Sequence, residues 1–401
     1  MGHSSIRTEF ILLIASMTSL VALTTDIMLP ALGQIAFDLG RSDPNDGHLV
    51  ISVLFAGYAL GQLIVGPLSN TMGRRPVVHG GYVLFALGCV ICLTASAFEG
   101  LLAGRFLQGV GMAGPRIVAM AIVRDQSDGR TMARIMSFVM AVFILVPAVA
   151  PALGQVVISL SHWRGTFWLL LITAAVTWTW FSLRQPETLA PPNRRPLSAR
   201  AIRDGIRIIV FTPAAIGYTV SAGLIFGPFL GYLSMAQQIF QTSYETGPRF
   251  ALWFAAAALS IGAASIVNSH LVECLGMRYL SNLSLVMVII FSAIFGGIAL
   301  TANGLPPFGV FMTWLMLTFF CMGLLFGNLN ALAMDPLGKM AGLGAAIVGA
   351  LSTAIAIPVG AALSQQFDGS VTPLILGFGL AALACTGVGR WVEVAGHRRS
   401  G

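Results

Sequence analysis

Twelve apolar runs follow one another along the chain, near residues 10–30, 49–69, 77–97, 101–122, 134–158, 165–184, 212–238, 247–270, 279–301, 306–331, 343–364 and 371–391. Each is close to the ~20 residues that an α-helix needs to cross a bilayer. In hydrocarbon every backbone N–H and C=O must be satisfied internally, and unbroken runs of this length do so as helices. Charged residues make up 9% of the 401, against roughly 25% in a soluble domain, so no sizeable water-soluble domain accompanies the runs. The sequence predicts an all-α integral membrane protein with twelve transmembrane helices. Proline and glycine inside the runs, as at Pro147, Pro151, Gly154 and Pro358, are compatible with membrane helices whose neighbours satisfy the freed backbone groups.

The longest polar stretch, residues 185–211, divides the runs six and six. It predicts an organisation of 1–184, a linker over 185–211, and 212–401. Arg200, Arg203 and Arg207 in its second half suit an amphipathic helix lying on the bilayer surface; a nucleic-acid partner is not expected. The net charge of +7 reports topology. With the N-terminus inside, the inner segments hold Arg7, Arg74, Arg75, Arg124, Arg130, Arg134, Arg184, Arg194, Arg195, Arg200, Arg203, Arg207, Arg278, Lys339, Arg390, Arg398 and Arg399, and the outer ones only Arg41, Arg164 and Arg249. This asymmetry predicts cytoplasmic termini. Val21-Ala22-Leu23 loosely imitates a signal-peptide cleavage site, but the run continues through Asp26 to Pro30 and reads as an uncleaved first helix. Cys89 and Cys92 have the spacing of a metal or redox pair, yet sit mid-run without further ligands. They read as small buried hydrophobes, and no metal site is expected.

Of the 15 acidic residues, one lies inside an apolar run: Asp26, in Thr24-Thr25-Asp26-Ile27-Met28-Leu29-Pro30. A carboxylate at such depth costs about 2.5–3.5 kcal/mol on insertion scales and persists by lining a wet cavity, pairing with a cation or carrying a proton. That points to a transporter. Two arginines share the fourth run, Arg105 and Arg116. Arg105 lies about 6 Å below its start at 1.5 Å per residue, a depth that allows snorkelling to the outer interface or pairing with Asp26. Arg116, roughly 16 Å deeper, faces either a central cavity or a backbone carbonyl freed by Pro115. Tyr58, Met112, Phe226, Tyr232, Trp253, Asn328 and Asn330 are candidates for the cavity wall, each with helix packing as the alternative.

The loop between runs 2 and 3 reads Gly66-Pro67-Leu68-Ser69-Asn70-Thr71-Met72-Gly73-Arg74-Arg75-Pro76. It resembles the Gly-x-Leu-x-Asp-x-x-Gly-Arg-Arg loop of the major facilitator superfamily, with Asn70 where the family has an acid. Arg105-Phe106-Leu107-Gln108-Gly109 is similar to the family's Arg-x-x-Gln-Gly motif, whose arginine the resemblance links to proton coupling. Val146–Gln155 resembles the antiporter motif: Pro151 and Gly154 stand, while Ala150 and Gln155 replace glycines. Thr25–Leu32, Gly61–Ser69, Val123-Arg124-Asp125, His162–Phe167 and Pro186-Glu187-Thr188-Leu189 narrow the likeness to the Bcr/CflA group of drug:H+ antiporters.

The resemblance implies two pseudo-symmetric six-helix bundles with a midplane cavity. It further implies a monomer in a bacterial inner membrane exporting bicyclomycin-like, amphenicol-like or other lipophilic drugs. The proton gradient would drive export without a cofactor, Asp26 and Arg105 would serve proton coupling, and Gly66, Asn70, Gly73, Arg74, Arg75, Pro151 and Gly154 the conformational change. Asn70 implies a weakened or rebuilt latch, since a neutral acceptor lacks the charge-assisted part of the bond. A proton-coupled uptake permease for a small metabolite is the alternative. No enzyme is expected, as no catalytic pairing of in-run carboxylates or Ser-Lys type is visible.

Overall fold

The computed structural model describes residues 8–194 and 199–400; Arg7 and Arg195, both used for the topology reading, lie outside the described residues. Twelve helices are long and apolar enough to span a membrane, and there is no strand among the described residues. They are α1 (Thr8–Asp26), α2 (Leu49–Met72), α3 (Arg74–Thr94), α4 (Phe98–Gln126), α5 (Gly129–Leu160) and α6 (Arg164–Arg184). After the linker come α7 (Pro213–Gln237), α8 (Phe250–Leu275), α9 (Met277–Thr301), α10 (Phe308–Met334), α11 (Ala341–Gln365) and α12 (Thr372–Ser400). In the linker a short helix, Ala199–Phe211, buries Ile209 against Ala333, Leu337 and Ile347. Its Arg200 and Arg203 are exposed.

Helices α1–α6 pack chiefly on one another, as do α7–α12. The two bundles meet along two seams, α2 on α11 and α5 on α8. Advancing each helix by six converts one seam into the other, which is the contact pattern of two bundles related by a pseudo-two-fold axis along the membrane normal. Both termini and the linker share one face, here termed the terminal face.

The first span departs from expectation. It does not end near residue 30. α1 stops at Asp26, and a 3₁₀ turn (Leu29–Ala31) and a short helix (Leu32–Asp38) extend the apolar span to Asp38. Asp26 therefore sits at a break inside a 31-residue span, not near the end of a straight helix. Gly154 of α5 lies directly against this break: a Cβ there would fall on the carbonyl oxygen of Ile27.

On the terminal face the linker ties the first bundle together. Glu187 accepts from the backbone N–H of Arg74 (2.9 Å) and of Arg75 (3.0 Å), the first residues of α3. A carboxylate there satisfies orphan donors and meets the positive end of the helix dipole. Gly73 makes the approach possible: its φ is +102°, and a Cβ would stand 2.5 Å from the Glu187 carboxylate. The Arg74 side chain binds Asp125 of α4 (Nε to Oδ2, 2.9 Å), Asn70 Oδ1 (2.8 Å) and Ser69 Oγ (3.0 Å). Arg75 donates to the Ser182 carbonyl at 2.8 Å. Asn70 thus accepts its bond from Arg74 within the first bundle, and the carboxylate facing Arg74 comes from α4. Partial burial opposes the charge on Glu187, but the backbone N–H groups of Leu189, Arg74, Arg75 and Thr188 outweigh it and hold the carboxyl below the usual glutamate value.

Two stability outcomes follow from these contacts. A carboxyl held low in the fold contributes stability above the unfolded value of 4.5 that is lost as pH falls through the folded value. Glu187→Gln should therefore melt below the wild type at pH 7 in detergent, with the gap closing as pH drops below 4.5; a gap independent of pH would contradict the capping role. Gly154→Ala should lose about 1–3 kcal/mol through overpacking at the α1 break. Gly80→Ala, where a Cβ meets nothing within 4 Å, should be neutral or slightly stabilising. Thermal midpoints of the two variants provide the check.

Candidate functional site

Between the bundles lies a cavity of about 890 Å³, of the size of a small-molecule site. The first bundle contributes Asp26, Tyr58, Gln62, Arg116 and Phe143 to its wall; the second contributes Phe226, Phe229, Tyr232, Phe326, Asn268 and Asn330. One wall thus carries the charges and the other is mainly aromatic. Asn330 is within about one turn of the terminal-face end of α10, so the cavity runs from the break in α1 towards that face.

Asp26 is only 3% exposed, yet among the described residues it has no ion pair or hydrogen bond. Its placement is a consequence of the helix break. Ending α1 leaves last-turn carbonyls without intrahelical partners, and Arg105, fully buried, takes one of them: both Nη atoms lie 3.3 Å from the Thr24 oxygen. Arg105 also donates to the Val50 carbonyl of α2 (3.3 Å) and to Gln108 (2.9 Å). The pairing of Asp26 with Arg105 suggested by their similar depth is therefore not what the structure holds. The guanidinium is committed to backbone acceptors of α1 and α2, where it secures the turn that presents Asp26. Snorkelling is also excluded, because the side chain points into the bundle.

Arg116 does line the cavity, with its guanidinium 5.0 Å from the centre of the Phe143 ring. It too lacks a carboxylate partner among the described residues. Tyr58, Phe226, Tyr232 and Asn330 border the same space. Three expected wall residues do not. Met112 is wholly buried in the helix core. Trp253 packs edge-on against Phe308, with ring centres 5.0 Å apart. Asn328 is turned away into a reciprocal amide pair with Asn268, at 2.8 and 3.2 Å, and it is Asn268 that reaches the cavity.

The face opposite the termini is closed by hydrogen bonds between bundles that sequence reasoning did not identify. Gly33 N–H donates to Gln237 Oε1 (2.9 Å), and His48 Nε2 to Gln238 Oε1 (2.9 Å). Gln238 Nε2 donates to Asn45 Oδ1 (3.2 Å). Asn45 donates to the carbonyls of Gln365 (3.3 Å) and Phe367 (3.0 Å), and Gln365 returns a bond to the Asn45 carbonyl (3.1 Å). The available signal was the amide-rich composition of loops on the same face. Towards the terminal side of the α2–α11 seam two small residues meet, Gly66 of α2 and Ala346 of α11. Pro151 and Gly154 lie buried in α5, Gly154 beneath the break at Asp26.

The sequence matches the Major Facilitator Superfamily over residues 14–361. It is 27% identical over 348 residues to the uncharacterized MFS-type transporter YdgK of Bacillus subtilis, covering 86% of each chain. It is 24% identical over 373 residues to the bicyclomycin resistance protein homolog of Haemophilus influenzae, covering 92% of each. The multidrug resistance protein MdtL of Escherichia coli O157:H7 is 28% identical over 328 residues, 81% of this chain and 80% of the relative. Among solved structures, a D-xylose-proton symporter superposes with a TM-score of 0.75 at 15% identity, covering 95% of this chain and 97% of the other. The peptide transporter POT in complex with sulfate gives 0.76 at 14% identity, with 97% and 94% covered. These two likenesses concern the fold alone. A family match over most of the length, on twelve helices in two bundles around a central cavity, makes this chain a member of the major facilitator superfamily.

Proposed function

We propose that the chain is a proton-coupled antiporter of the Bcr/CflA type, exporting lipophilic molecules of the bicyclomycin or amphenicol kind by alternating access. The observation that carries this reading is Asp26: a carboxylate without an ion-pair or hydrogen-bond partner among the described residues, at a helix break, facing the cavity between the bundles. A carboxylate so placed alternates between a neutral form that tolerates an apolar environment and a charged form that needs water or a cation. Proton and drug then exclude each other, and drug leaves as the proton enters. The names of the bicyclomycin and multidrug resistance relatives support export of such compounds.

The chain leading away from Asp26 also suggests how its protonation reaches the gate. The break continues into the Leu29–Ala31 turn and then into Gly33, Asn45 and His48, which supply the first bundle's side of the seal. A change in how the break packs, against Gly154 on one side and Arg105 on the other, pulls directly on those bonds. Arg105 in this reading acts through the α1 backbone, and the two seams serve as the surfaces on which the bundles rock. The terminal face is assigned to the cytoplasm of a bacterium by its excess of arginines. The protein works as a monomer in the inner-membrane bilayer, with the proton gradient as its energy source and no cofactor.

Asp26→Asn fixes the site in a neutral form. In proteoliposomes loaded with an amphenicol and given a pH gradient, it should lose proton-driven transport while eluting as a monodisperse species like the wild type. Full gradient-driven transport by this variant would sink the assignment.

A further inference from the structure

The cavity holds two opposite charges, and the antiport cycle uses only one of them. Asp26 carries the proposed proton exchange, and Arg116 has no part in it. Neither is paired with a side chain of opposite charge among the described residues. The guanidinium of Arg116 lies over the face of Phe143, and among the described residues its N–H groups have no hydrogen-bond acceptor, which leaves them available to an anion. A planar fork of this kind matches a carboxylate or similar oxyanion bidentately.

The two poles stand at the ends of one run of rings. All four side chains line the cavity; Asp26 and Tyr232 come from segments that meet at the Gly33–Gln237 bond, and Tyr58 and Arg116 from helices in contact at Gly61 and Ala113. Between them the ring centres step from Tyr232 to Phe229 (6.5 Å), to Phe226 (5.8 Å), to Phe55 (5.7 Å) and to Tyr58 (6.4 Å). The Phe226–Phe55 step crosses from one bundle to the other. An apolar body lying on these rings therefore has a negative group at one end and a positive group at the other.

We infer that the cavity prefers amphipathic zwitterions, whose aromatic or aliphatic body lies along the Tyr232–Phe226–Tyr58 run with a cationic group at Asp26 and an anionic group at Arg116. A lipophilic cation alone leaves the guanidinium unpaired and adds a like charge to the cavity; a lipophilic anion alone meets the Asp26 carboxylate. The inference rests on the export reading for the role of Asp26 in exchange, but the role of Arg116 is separable from it.

The test uses the full-length protein in detergent at pH 7.5 and three radiolabelled probes. These are 4′-(aminomethyl)biphenyl-4-carboxylic acid, which carries both charges at opposite ends, its methyl ester, which keeps only the cation, and its N-acetyl derivative, which keeps only the anion. The wild type should bind the zwitterion about tenfold or more tighter than either analogue, the scale of one charge-assisted contact. Arg116→Gln should remove that preference over the ester while binding the ester at least as well as the wild type. Arg116→Lys, which keeps the charge, should retain most of it. Equal binding of zwitterion and ester by the wild type would overturn the inference, as would an equal loss of both in Arg116→Gln. Proton-driven export of the ester from proteoliposomes with no zwitterion preference would leave the export reading standing and remove this one. An Arg116-dependent preference without proton-driven export would do the reverse.

Discussion

The contact on which the site depends is the one between a buried guanidinium and the end of a helix. A break in a membrane helix strands backbone carbonyls where no water is available, and each such group costs several kcal/mol if left alone. Arg105 meets the Thr24 carbonyl with two N–H groups while also reaching Val50 and Gln108. The helix end solves a problem for the arginine as well, since a fully buried charge is tolerable only when its donors are occupied. Each makes the other affordable in the interior of the bundle. From this pairing follow the orientation of Asp26 into the cavity, the close seat of the Ile27 carbonyl on Gly154, and the path of the chain towards the gate.

That gate is built from neutral groups. Six hydrogen bonds among amides, backbone groups and one imidazole close the face opposite the termini, and each such bond is worth about 0.5–1.5 kcal/mol net. A cluster of buried ion pairs would be more costly to separate, because each ion would be left uncompensated. Amides exchange partners with water readily, so the bundles can part without a large penalty. The terminal side is arranged differently: Arg74 with Asp125 and Arg184 with Glu9 are ionic contacts within the first bundle and are not broken by relative motion of the two. Ionic contacts thus hold the first bundle together while neutral hydrogen bonds join it to the second, the distribution that a rocking mechanism between two states needs.

The twelve spans and the isolation of Asp26 among the acidic residues were legible in the sequence because hydropathy and length are one-dimensional properties. What was not legible depends on azimuth and on local breaks. Depth alone put Asp26 and Arg105 at a similar level, but the turn after Asp26 places the arginine beneath the Thr24 carbonyl. Likewise Asn328 and Asn330 lie two positions apart on α10, so they face different ways, and only Asn330 borders the cavity. Met112 and Trp253 have the composition of drug-binding residues, and composition does not say which side of a helix meets the core. Asn70 was read as a missing charge; the carboxylate opposite Arg74 comes instead from Asp125, fifty-five positions further along the chain and beyond the reach of a local motif.

In the proposed antiport cycle, the presence of Asp26 and Arg116 in one cavity also bears on how strictly proton and substrate would exclude each other. With Asp26 ionised, the charges of Asp26 and Arg116 balance across the cavity. With Asp26 protonated, only the guanidinium remains and the cavity becomes net positive. In a partly apolar space of this kind the interaction of unit charges is far stronger than in water. A cationic group then loses its counter-charge and meets the unopposed field of Arg116, so one proton changes two interactions at once. A cavity holding Asp26 alone would exclude a cation only by occupying its partner. Arg116 adds repulsion to that loss, which would tighten the coupling between proton entry and substrate release in the proposed antiport cycle.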